Sequence, residues 1–168
     1  MKKIIPILFV VFFIYGLTQK DEILIPDYAI RFRVIANSNS IEDQTMKLEV
    51  KNQLEKDLNN LMQKASTSKE AKKIIEDNLK NIRTTVNTYT KNNKVSFGKN
   101  YFPEKEYHGV TYPKGEYDSL VVTLGSGVGN NWWCVMFPPL CLLEAKEDGT
   151  EEINYSFYVK DVLNKYFS

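Results

Sequence analysis

The chain has 168 residues, enough for one domain with a short appendage. Its 22 lysines and arginines nearly balance 21 aspartates and glutamates, so it carries no basic field of the kind that binds nucleic acid. One histidine and two cysteines without close CxxC spacing fall short of a tetrahedral zinc set, and no cofactor or metal is expected.

Met1-Lys2-Lys3 precede an apolar run over residues 4–17, which polar Gln19-Lys20-Asp21-Glu22 closes. A basic start and an apolar stretch shorter than the roughly 20 residues of a membrane-spanning helix read as an export signal. Gly16-Leu17-Thr18 only approximates a small-residue cleavage site, so residues 1–18 stand as a removed signal or as a retained anchor. On either reading residues 19–168 form a single extracytoplasmic domain that meets the membrane only through residues 4–17, and only if these stay uncleaved. Export also favours pairing of the two cysteines.

Tyr28 to Ala36 alternates Ile30, Phe32, Val34 and Ala36 against Arg31, Arg33 and Ile35, which predicts a strand with one solvated side near its start. Asn37-Ser38-Asn39-Ser40 ends it with side chains that favour turns and caps. Ser40 with Glu42 and Asp43 then opens a helix whose apolar stripe runs through Met46, Val50, Leu54, Leu58 and Leu61 to about Gln63. Thr67 and Glu70 form a capping box before a second stripe, Ala71 to Tyr89, that Asn92-Asn93 breaks. Two amphipathic helices on a short link should pack antiparallel.

Beyond residue 93, β-branched and aromatic residues alternate with glycine and proline. Val95 to Pro103 shows this change of character, the segment Glu116 to Gly127 alternates like a strand and Asn131 to Phe137 reads as another, two or three strands in all, and Ser156 to Phe167 returns to helical spacing. The expected class is α+β: a helical hairpin and a C-terminal helix packed on a small, largely antiparallel sheet.

The stretch GSGVGNNWWCVMFPPLC, Gly125 to Cys141, concentrates three glycines, both tryptophans and both cysteines. A dinucleotide loop would need its third glycine at Asn130 and a helix after it; a strand pattern follows instead, so the glycines read as a flexible hairpin connection. Trp132 and Trp133, as strand neighbours, point to opposite faces. Two arrangements stay open: both rings buried, or one exposed as an interface anchor. Cys134 and Cys141 would lie roughly 23 Å apart in extended chain, so a disulfide demands a reversal, for which a hairpin centred on Phe137-Pro138 serves. A disulfide and two separately buried thiols both remain open. Cys134 with His108 would make a nucleophile and base only if the fold brought them together.

RFRVIANSNSIEDQTMKLEVKNQL, Arg31 to Leu54, and YPKGEYDSLVVTLGSGVGNNWWCVMFPPLC, Tyr112 to Cys141, together resemble the stage II sporulation protein R family of endospore-forming bacteria. The resemblance implies a non-enzymatic signal, secreted from the forespore into the intermembrane space. Its implied partner is a membrane-embedded aspartic protease of the mother cell, which then processes the sigma-E precursor. With that partner, Asn37, Asn39, Asp43, Asn131, Trp132 and Trp133 are the candidate receptor contacts. Two other classes compete: a secreted thiol hydrolase using Cys134, and a cell-wall glycan-binding module using the tryptophans.

Overall fold

The computed structural model describes residues 23–107, 110–141 and 155–167. Residues 1–18, His108 and the region between Cys141 and Tyr155 lie outside these, so the expected export signal and a Cys134–His108 pair are not among the described features. Among the described residues, no helix is long and apolar enough to cross a membrane.

The strands are β1 (Ile23–Leu24), β2 (Ile30–Ile35), β3 (Asn93–Phe102), β4 (Lys105–Tyr107), β5 (Val110–Tyr112), β6 (Gly115–Leu124) and β7 (Asn131–Phe137). The helices are α1 (Ile41–Met62), α2 (Ser68–Tyr89) and α3 (Tyr155–Phe167). A four-stranded sheet runs in the order β3-β6-β2-β7, and a three-stranded one in the order β1-β5-β4. The architecture is α+β, with antiparallel β3–β6, β2–β7 and β4–β5 pairs and parallel β2–β6 and β1–β5 pairs.

Both long helices start where side chains can satisfy their free N–H groups. The Ser40 hydroxyl accepts from Asp43 N at 3.2 Å, and the Thr67 hydroxyl accepts from Glu70 N at 3.2 Å. The Glu70 carboxylate reaches back to the N–H of Ser66 at 2.8 Å, one residue before the cap. Helices α1 and α2 lay their stripes over one face of the main sheet, where Val50, Leu54, Leu58, Ile75 and Ile82 meet Phe32, Val34, Leu120 and Val122. Each fully buried aliphatic side chain there contributes about 1.5–3 kcal/mol. A second core gathers Ile25, Val110, Tyr112 and Val135 with Val159 and Val162 of α3.

Two expectations need correction. Arg31, predicted on a solvated strand face, is 2% exposed. Its guanidinium sits 4.7 Å from the Phe102 ring centre and 5.2 Å from those of Tyr112 and Tyr117, because the small sheet and the far end of β3 close over this side of β2. Cation–π attraction on three rings replaces part of the lost hydration. The glycine segment is also not a hairpin connection: β6 and β7 are not neighbours, since β2 lies between them. Residues 125–130 must therefore cross the end of β2.

Candidate functional site

That crossing builds the polar end of the main sheet. Parallel pairing of β2 with β6 brings both C-terminal ends to one side, and antiparallel β7 starts there. The turn after β2 and the glycine segment after β6 are thereby forced together, and Asn37 is the peg between them. Its side-chain oxygen accepts from Ser126 N at 2.9 Å, while its carbonyl accepts from the Ser126 hydroxyl at 2.9 Å and from Val128 N at 3.3 Å. The Asn37 amide donates to Asp43 Oδ2 at 2.9 Å, and the Ser38 hydroxyl donates to the same oxygen at 2.5 Å. These two bonds, Ser38 first, hold the Asp43 carboxyl below its ordinary range. Asn39 Oδ1 accepts from Asn130 N at 2.7 Å, and Gln44 donates to the Ser38 carbonyl at 2.8 Å.

The glycines are required by this close approach. Gly125 and Gly127 have φ of 57° and 67°, the left-handed region that side chains resist. A Cβ on Gly129 would lie 2.2 Å from the Ser38 carbonyl oxygen, and one on Gly125 would lie 2.1 Å from Asn37 Oδ1. The segment is a clasp, closed by bonds between residues about ninety positions apart. Ile41 and Val128, the first residue of α1 and the centre of the clasp, stand 83% and 75% exposed beside it. Spacing alone did not identify them, since an isolated Ile or Val in a polar segment carries no pattern.

The structure thus brings Asn37, Asn39 and Asp43 together at one end, with Asn131 entering β7 opposite Ile35. The tryptophans lie farther along β7 and point to opposite faces. The Trp132 ring meets Phe32 edge-on at 5.5 Å on the helix side, with Lys51 Nζ 4.7 Å from its centre. Trp133 meets Phe102 at 5.1 Å on the other side, with the Arg33 guanidinium 4.6 Å from its centre. Both rings are half-buried, so neither of the two expected arrangements occurs in full. Each ring has an aromatic neighbour and a cation nearby, rather than the open flat face a sugar platform offers.

At the far end of β7 the chain turns through a cis Phe137–Pro138 bond, and Leu140 N donates to the Val135 carbonyl at 3.1 Å. Cys134 and Cys141 are joined by a disulfide, with Cα atoms 5.2 Å apart. Cys134 is buried, and its thiol is engaged, so it does not stand as a hydrolase nucleophile. Next to this bond lies a buried ion pair, Lys51 Nζ to Glu55 Oε2 at 2.8 Å, on the helix α1 face. Burial pushes the Glu55 carboxyl up, against the pull of Lys51. The sequence concealed this pair because Lys and Glu four apart usually mark a solvated helix face.

The fold and this end-of-sheet clasp define an α+β domain whose most organised surface is a polar platform with two apolar points. The chain belongs to the stage II sporulation protein R family: the family profile of that description matches residues 26–147. A relative named stage II sporulation protein R, from Bacillus subtilis (strain 168), is 38% identical over 133 residues. The match covers 76% of this chain and 59% of the relative's own length. No solved structure matches. Membership gives the chain a role in sporulation.

Proposed function

We propose that the chain is an exported signal that activates a membrane-embedded aspartic protease of the mother cell, which in turn processes the sigma-E precursor. Family membership carries this reading. The basic-apolar N-terminus supports export into the intermembrane space. The platform supports a binding role rather than a chemical one: its donors and acceptors are spent on holding a shape, and that shape presents Ile41 and Val128 to solvent. A rigid polar surface with a few apolar anchors is how protein partners are recognised at small ordering cost.

Asn37, Asn39, Asp43 and Asn131 are on this reading the frame of the receptor surface, and Ile41 and Val128 its anchors. Trp132 and Trp133 support the frame from both faces of β7. Expression of the full chain together with the protease and the sigma-E precursor in a non-sporulating host tests the reading. Precursor cleavage should depend on the chain, and cleavage that proceeds equally without it sinks the signal role. Ile41→Asp with Val128→Asp should cut cleavage at least about tenfold with no change in melting temperature, the loss of roughly 1.4 kcal/mol or more of binding.

A further inference from the structure

We propose that Cys134, Cys141 and Glu55 form a redox-gated site for a thiophilic divalent cation of the zinc class: closed as the disulfide, and opened as a two-sulfur, one-carboxylate ligand set when the bond is reduced. A carboxylate oxygen of Glu55 and the two sulfurs all lie within 4.8 Å of one another. Zinc takes thiolates at about 2.3 Å and carboxylates at about 2.0–2.2 Å, so two sulfurs on one tetrahedral ion stand roughly 3.8 Å apart. Reaching that spacing requires the disulfide to be opened, at the partly buried Cys141 end of a proline turn.

A second, independent observation points the same way. Glu55 is 7% exposed, and its Oε1 is buried without a hydrogen-bond partner while Oε2 holds Lys51. A buried acceptor left unbonded is costly and calls for an unseen partner. It lies beside a cavity of about 20 Å³ lined by Glu55, Asn59, Pro139 and Cys141, which has room for one small species and a path to solvent.

Charge closes the argument. Two thiolates and one carboxylate sum to three negative charges; a divalent cation and the Lys51 ammonium, 2.8 Å from Glu55, sum to three positive. The assembly is neutral among Phe32, Leu58, Met62 and Met136, surroundings that penalise any net charge. The chemistry balances in two steps. A dithiol reduces the disulfide, becoming a cyclic disulfide itself and leaving two protein thiols. The cation then replaces both thiol protons, which pass to water.

The test titrates Co²⁺ into the full-length chain, oxidised and after reduction by a dithiol that is then removed without air. The reduced chain should take up one Co²⁺ with a sulfur-to-cobalt charge-transfer band and tetrahedral visible bands, and the oxidised chain none. Glu55→Gln, with its fold checked by circular dichroism, should bind roughly tenfold or more weakly, the scale of disturbing even an outer partner of a metal ligand. Zn²⁺ should also shield both cysteines of the reduced chain from alkylation, read by mass. No sulfur-to-cobalt band, unshielded cysteines, or a folded Glu55→Gln chain that binds as tightly as the native would each overturn the site.

Discussion

The two ends of strand β7 are held by opposite means. At its start, Asn131 enters beneath the clasp, where exposed polar groups and glycine backbone are tied by many hydrogen bonds and Ile41 and Val128 stay exposed. At its finish, Cys134 and Met136 are buried in the core shared with α1 and Phe137 meets Tyr166 of α3, with one covalent link and one enclosed ion pair nearby. A polar surface that must keep one shape in water needs many small constraints, each exchangeable with solvent bonds. A buried end needs few constraints, but each buried charge there depends heavily on its partner.

The largest expected effect tests the buried end. Lys51→Met strands the Glu55 carboxylate and should cost roughly 3–5 kcal/mol near neutral pH, measured by urea denaturation. The sign with pH follows from Glu55's raised folded value. The folded state keeps a proton that the unfolded state gives up, so stability is greatest below the unfolded value and declines as pH rises through the folded one. The Lys51→Met deficit should therefore shrink as pH falls. A deficit that grows on acidification would contradict the burial of this pair.

Next in size, Gly129→Ala tests the polar end. Its methyl meets the Ser38 carbonyl, so the clasp must shift, at a cost of roughly 2–4 kcal/mol. An alanine variant that melts with the native chain would mean that the clasp is slack, and the contrast between the ends would fail. Reducing the disulfide removes a link across a sequence separation of 7 and should lower stability by roughly 2–3 kcal/mol without loss of the platform. Melting with and without reductant measures the first part, and precursor cleavage by the reduced chain measures the second.

The smallest effect is expected at Asp43. Its carboxyl is held low by Ser38 and Asn37, so the stability it contributes is present above the unfolded value, about 3.9, and is lost as pH falls through the lower folded one. Asp43→Asn should flatten this acid slope by removing that contribution, so the variant is slightly less stable than the native chain near neutral pH and approaches it in acid. A variant with the native slope would show that the carboxylate does not hold the turn.

The elements that the residues themselves encode were legible: both caps, both long helices, and β2, β6 and β7, all of which depend on local period and local hydrogen bonding. Features set by what lies across space were not. β1 has two residues and β4 and β5 three each, too short to show a period. Arg31 read as solvent-facing, and the Lys51–Glu55 pair gave no signal of its own, because charge patterns cannot reveal aromatic rings or a helix layer closing over them. In the platform, Asn37, Asn39 and Asp43 were visible as turn formers, but their grip on the glycines was not. It depends on the parallel β2–β6 pairing, which no short window of sequence specifies.

That pairing also sets when the platform can exist. Its bonds join residues 89 and 91 positions apart, so no local segment can assemble it, and the loop-closure entropy must be met before any of it forms. A peptide spanning Asn37–Asp43 carries half the surface and none of its shape. If the platform is what the receptor reads, only a chain that has completed its fold can deliver the message, and a truncated or misfolded copy stays silent.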